Sequence, residues 1–191
     1  MIYFTLPNFF DNAKLNDVFS QLLTSNPEYF NYKNLAFSYA DGSLPYFYWS
    51  LSNYNNYPRH IIPTRADIAN LLRHPLRLNL DCGNPLLIPH DLFDVRINAF
   101  LEELHNGSNM VTISTPMLIE FFETNYPYYY LVGSEIFYKQ DPEKLHLDKL
   151  KFIRQNSMDL NNPYYESIPK SKIELCIGSP CFNCEDYEKC V

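Results

Sequence analysis

A chain of 191 residues, 46% hydrophobic and 19% charged, can bury a substantial core, which excludes an intrinsically disordered segment. Fifteen Lys and Arg against 22 Asp and Glu give a formal charge of -7 and leave no broad cationic surface, so general nucleic-acid binding is not expected. No apolar run approaches the roughly 20 residues of a bilayer span, and residues 1–10 lack both a basic start and a small-residue cleavage site, so a soluble, cytoplasmic protein with no membrane association is expected.

Ile2–Leu6 reads as a first strand, closed by Pro7. Leu15, Val18, Phe19, Leu22 and Leu23 then recur at helical spacing until Asn26-Pro27. Residues 35–39 and 47–51 read as strands around a turn at Asp41-Gly42, and 53–63, broken by Pro58 and Pro63, as a surface loop. Thr64 is placed to cap a helix carrying Ile68, Leu71 and Leu72, followed by a strand over 76–80. Asp91 opens a helix whose apolar face is Phe93, Ile97, Phe100, Leu101 and Leu104, stopped by Asn106-Gly107 before a strand over 110–114. Thr115-Pro116 starts the next helix, with Leu118, Phe121 and Phe122, and a strand over 128–132 follows. Residues 142–155 read as a helix, 158–160 as a short strand and 173–177 as the last strand.

Short apolar runs alternating with helical stretches predict an α/β fold, about eight strands and five helices in one domain over 1–191. No G-x-G-x-x-G or G-x-x-x-x-G-K-[ST] is present, which favours a small or incomplete TIM-barrel-like parallel sheet with surrounding helices over an open nucleotide-binding sheet. In such a barrel the carboxyl ends of the strands share one face. That rule gathers Asp81, Cys82, Asn84, Ser114, Thr115, Ser134, Glu135, Asn161, Asn162 and residues 178–184. Aromatic residues reach 16% beside abundant Asn and scarce Gly, a skew that AT-rich coding produces by itself, so Tyr128, Tyr129 and Tyr130 are read as strand core.

Four of the five cysteines lie within 176–190, as Cys176-x4-Cys181-x2-Cys184-x5-Cys190. Thiolates spaced this closely can converge on one centre, and the first three match the x4, x2 spacing of plant-type ferredoxins. The Cys-x2-Cys knuckle is equally a zinc pattern, so spacing leaves an iron-sulfur cluster and zinc both open, with redox-active thiols as a third reading. Cys82 is a possible substitute ligand if the strand ends converge. Five histidines show no paired ligand spacing. His90 alone sits in a loop after a strand end, and it joins Asp81 and Glu174 as catalytic candidates, with Glu135 as another carboxylate. Ser114 is the serine best placed at a strand end, yet no G-x-S-x-G accompanies it.

Residues 174–184, Glu-Leu-Cys-Ile-Gly-Ser-Pro-Cys-Phe-Asn-Cys, resemble the signature of the collagenase-like peptidase family, in which a Glu precedes a Gly-Ser pair, a Cys and a further Cys. The stretch Val111 to Leu118, with Tyr126-Pro127 and Tyr130 to Glu135, is similar to the family's strand, helix and strand rhythm, and the likeness spans roughly 76–190. It implies a TIM-barrel-like fold, hydroxylation of RNA or of a quinone precursor, and an iron-sulfur cluster held by cysteines. Cys181 and Cys184 fall on family cysteines, Cys176 on a position that is normally apolar, with Cys190 or Cys82 standing for a missing ligand. The resulting expectation is a metal- or iron-sulfur-binding barrel acting on RNA or an aromatic small molecule. The alternative is a non-catalytic, zinc-stapled binding or assembly protein, with a protein partner covering the edges of an incomplete barrel.

Overall fold

The computed structural model describes residues 2–10, 12–30, 34–43, 47–50, 64–74, 76–140, 143, 146–156 and 161–176. Among the described residues seven strands form one sheet: β1 (Ile2–Leu6), β2 (Leu35–Gly42), β3 (Arg77–Cys82), β4 (Met110–Ile113), β5 (Tyr130–Gly133), β6 (Leu150–Asn156) and β7 (Ile173–Cys176). Every neighbouring pair is parallel, and the order across the sheet is the order along the chain. Parallel neighbours need a crossover, and helices α1 (Ala13–Ser25), α2 (Arg65–Leu72), α3 (Val95–Glu103), α4 (Pro116–Asn125) and α5 (Phe137–Gln140) lie in the first five connections. Because the order never reverses, each crossover steps the same way and the sheet curls instead of opening to both sides. The curl brings its ends together: Thr5 Oγ1 of β1 donates to Glu174 Oε1 of β7 at 3.0 Å. The fold is an α/β half-barrel, as the strand and helix rhythm predicts.

Side chains alternate across each strand, so the sheet has two differently composed faces. On the outer face Leu78, Leu80, Cys82, Val111, Ile113 and Ile153 join one core with Ile97, Phe100, Leu101 and Leu104 from α3 and its end, and with Leu118 and Phe122 from α4. The inner face has a small apolar floor of Tyr39, Met110 and Val132, with Phe152 packed against it. Above that floor the face is polar.

Several local expectations are corrected. Residues 47–50 form turns rather than a strand, and Phe47 and Trp49 are wedges in the outer core, edge-on to Phe100 and Phe121 with ring centres 5.9 and 5.5 Å apart. Asp41 and Gly42 are not a turn: β2 runs through them and pairs with Asn79 and Leu80 of β3. The helix expected over 142–155 is β6 from Leu150 onward, because alternation lets Phe152 and Arg154 face inward while Ile153 packs outward. α3 starts at Val95, capped by the Asp94 carboxylate on the amides of Arg96 and Ile97, and this leaves Phe93 exposed. β5 begins at Tyr130, so of the three tyrosines only Tyr129 is buried. The strand expected over 158–160, the loop over 53–63 and the end of the strand over 173–177 lie outside the described residues.

α1 forms where expected, but its apolar stripe does not enter the core. Leu15, Val18 and Phe19 are exposed, while Asn16 is the buried residue and donates to Pro7 O at 3.3 Å. β1 is an edge strand and likewise exposes Tyr3 and Phe4. Among the described residues no helix is long and apolar enough to cross a membrane.

Candidate functional site

The strands run in register, so inward side chains form rows across the sheet: Asp41, Asn79 and Met110; Asp81, Thr112, Val132 and Phe152; Arg154 and Glu174. Curling then turns the polar members of these rows toward one another. Arg154 is the bridge, its Nη2 on Asp41 Oδ2 at 2.8 Å and its Nε on Glu174 Oε2 at 3.1 Å. Glu174 also accepts from Thr5 and from the Tyr39 hydroxyl. Asn79 Nδ2 donates to Asp41 Oδ1 at 3.0 Å and to Thr112 Oγ1 at 2.7 Å. One connected layer of charged and polar side chains thus spans β1, β2, β3, β4, β6 and β7.

The rim of the face is built by the residues that leave the strands. Asp81 accepts from Ser50 Oγ at 2.5 Å and from the Gly83 amide at 2.8 Å, which ties β3 to the turn at 47–50. Asn84 reinforces that tie, its amide donating to Tyr48 O at 3.0 Å. Ser114 Oγ donates to Gly83 O at 2.5 Å, which uses its one proton, so in the 2.6 Å contact with Ser134 Oγ it is Ser134 that donates. The absence of a side chain at Gly83 is required here: a Cβ would stand 2.7 Å from Asp81 Oδ1 and 3.3 Å from Ser114 Oγ. Gly83→Ala is therefore expected to push the Asp81 carboxyl off the Gly83 amide, lowering stability by about 1–2 kcal/mol. Urea unfolding beside the parent protein measures this, and equal midpoints would show that the rim yields without cost.

Burial governs the electrostatics. Protein surrounds Asp41 although 26% of its side chain still faces the concavity, and the lost hydration raises its carboxyl to about 6 despite the Arg154 guanidinium; Asp81 and Glu174 push in the same upward direction. Asp81 is likewise raised by burial, opposed by the bonds from Ser50 and Gly83 and by Arg154. For Arg154, burial works against its charge, but Asp41 and Glu174 outweigh it and hold the guanidinium charged. Cys176, at the end of β7, has its thiol pushed well up by burial and by the Glu135 carboxylate, with which it shares a hydrogen bond.

Of the residues singled out from the sequence, Asp81, Ser114, Ser134, Glu135, Glu174 and Cys176 gather at this face or its rim. Cys82 does not join them: it is fully buried in the outer core, on the far side of β3, with burial and then Asp81 raising its thiol. His90 is exposed on a 3-10 helix, Pro89–Phe93. Thr115 is buried as the residue before α4, and Asn162 caps Pro163–Tyr165 by accepting from Tyr164 N at 3.0 Å. Cys181, Cys184 and Cys190 lie outside the described residues. Among the described residues no group of three or more His, Cys, Asp or Glu side chains is arranged to hold a metal ion.

Asp41, Asn79, Thr112 and Arg154 were not singled out by motif. A signal for them does exist in the sequence: polar residues recur every second position in otherwise apolar strands, as Asn79-x-Asp81, Thr112-x-Ser114 and Glu174-x-Cys176. Such alternation marks a polar inner face behind an apolar outer one.

No family model, no curated protein and no solved structure matches the chain.

Proposed function

We propose that this protein is a barrel enzyme of the type resembled by residues 174–184, with a small-molecule site on the concave face and a metal or iron-sulfur centre at its rim. Cys181, Cys184, Cys190 and Cys176 would hold that centre. One observation carries the reading: β7 ends with Cys176 beside Glu135, at the carboxyl edge of the polar face, the edge where substrates of such folds bind. The donor chemistry fits as well. A buried thiol kept protonated by a neighbouring carboxylate becomes a thiolate ligand once a cation balances the charge.

When bound, an iron-sulfur cluster supplies electron-transfer chemistry that side chains lack, whereas zinc supplies a structural clamp or a Lewis acid. The chain's own residues would position a substrate. Arg154 holds Asp41 and Glu174 in place, Asp81 is fixed by Ser50 and Gly83, and Asp41, raised to about 6, can give or take a proton near neutral pH. An aromatic small molecule suits this face better than an RNA backbone, because the carboxylates repel phosphate.

The non-catalytic reading, a zinc-stapled binding or assembly protein, draws on a different observation. Ser114, the serine best placed for nucleophilic work, is committed to Gly83 O and Ser134 rather than to a base. Anaerobic purification with elemental analysis and a visible spectrum separates the two. Iron with acid-labile sulfide, about four per chain, supports the cluster enzyme, and one zinc supports the stapled module. Cys181→Ser and Cys184→Ser are each expected to lose bound metal together with thermal stability. Unchanged metal content in both variants would remove the site.

A further inference from the structure

We propose that the concave face between β2, β3, β6 and β7 receives a small organic cation, specifically a ligand carrying a primary ammonium group. This deepens the reading of that face as a substrate site and is independent of the cysteine centre. The first ground is charge. Asp41, Asp81, Glu135 and Glu174 act on one another or on the same neighbours across the face, and Arg154 is the cation that Asp41, Asp81 and Glu174 share. Its Nε and Nη2 are already engaged by Glu174 and Asp41, so it is poorly placed to clamp a carboxylate or phosphate.

The second ground is a specific vacancy in hydrogen bonding. Asn79 is completely buried, and its Oδ1 has no donor among the described residues. The amide cannot be turned to relieve this, because Nδ2 is held by the Asp41 carboxylate, toward which Oδ1 would be repelled. A buried acceptor without a donor costs stability, so it calls for a donor from outside the chain. An ammonium group brings three donors and one positive charge, which answers both the orphaned oxygen and the excess of carboxylate.

The third ground separates organic from inorganic cations. The described carboxylates are not arranged as a metal-binding group, and Asp81 already spends both oxygens on Ser50 and Gly83. An ammonium tolerates such partly engaged acceptors, since it needs one lone pair per proton rather than a full coordination shell. Asp41 and Glu174 retain 26% and 21% side-chain exposure, so a ligand can reach them from the concavity. The raised Asp41 carboxyl agrees with a site short of positive charge.

The test is calorimetric titration of the full chain at neutral pH with n-butylammonium, butyrate, inorganic phosphate and Mg2+ as separate probes. We expect saturable binding of n-butylammonium alone, with Kd in the millimolar range or tighter, weakened about tenfold or more in Asp41→Asn and in Asn79→Leu. Circular dichroism confirms that each variant is folded; Asp81→Asn, which keeps the shape and one oxygen for the Gly83 amide while the Ser50 hydroxyl turns from donor to acceptor, replaces any that is not. Equal or tighter binding of butyrate or phosphate, binding of Mg2+ in place of the amine, no saturable amine binding, or unchanged affinity in the folded variants would each overturn the proposal. Cys184→Ser is titrated in parallel. Lost metal with retained amine binding supports the ammonium site, and its survival there means that failure of the cofactor reading and failure of the ligand reading are told apart. Loss of amine binding in Cys184→Ser would overturn the claim that the concave face alone is the receptor.

Discussion

Replacing Arg154 by Met is expected to destabilise the protein by about 3 kcal/mol or more, because it strands two carboxylates whose burial the guanidinium makes tolerable. Arg154 has 9% of its side chain exposed and reaches Asp41 and Glu174 at 2.8 and 3.1 Å, so neither acid can turn to bulk water without breaking the inner layer. Arg154→Lys is expected to recover only part of the loss, since a single ammonium cannot present two divergent N–H donors in the fixed plane that spans β2 and β7. Urea unfolding at neutral pH measures both variants. Repeating it in acid adds a signature: protonating Asp41, whose carboxyl burial raises to about 6, removes part of the stranded charge, so the deficit of Arg154→Met shrinks as pH falls. A variant as stable as the parent at neutral pH would show that the bridge contributes nothing.

The second large effect is in the pH profile. Asp41 titrates at about 6 in the folded protein, against about 4 for an unfolded carboxyl. Between those values the folded chain keeps a proton that the unfolded chain has released. Stability therefore falls as pH rises from about 4 to about 6, and the loss is complete above the folded value. Two pH units correspond to about 3 kcal/mol. Asp41→Asn removes this component and is expected to flatten the slope of stability in that window by close to one proton. Arg154, Asp81, Glu174 and the Asn79 amide all face Asp41, and Asp81, itself raised by burial, leaves a residual slope of the same sign. Identical slopes for parent and variant would place the titration elsewhere.

Where local signals and tertiary context agreed, the sequence was readable. Pro116 after Thr115 fixed the start of α4, and the apolar spacing of Ile97, Phe100, Leu101 and Leu104 marked the buried side of α3 and its end. The half-barrel itself followed from the rhythm of units and the lack of a dinucleotide motif. The failures share a physical cause. In a curled sheet the inner face is partly polar, so β6 presents Arg154 and Gln155 after Phe152 and Ile153 and lacks the continuous apolar run of a two-sided buried strand. Its mixture of Lys, Phe, Ile, Arg and Gln is equally compatible with a helix in isolation. Asp41-Gly42 looks like a turn for the same reason, until pairing with β3 supplies the partner that holds it extended. The site was half legible: residues after strand ends were found by the barrel rule, while those within the strands needed the register to bring them together. α1 shows the reverse error, since a correct helical period does not say whether anything stands on the other side to bury it.

The order of strands has a consequence for how the chain reaches this state. Because sheet order equals chain order, each new strand has its docking edge ready as soon as it is made, and the sheet can lengthen from β1 onward during synthesis. The inner layer cannot. Its bonds from Tyr39 and Thr5 to Glu174 span 135 and 169 residues, and the Arg154 bridge to Asp41 awaits β6. Until then Asp41 sits on the open inner face of a growing sheet, where water can still hydrate it. The guanidinium and the second carboxylate arrive only with the last two strands, which makes completion of the inner layer a late and cooperative event. A nascent chain arrested before Leu150 would thus hold a curved but open sheet of five strands, with Asp41 on its inner face and neither Arg154 nor Glu174 yet beside it.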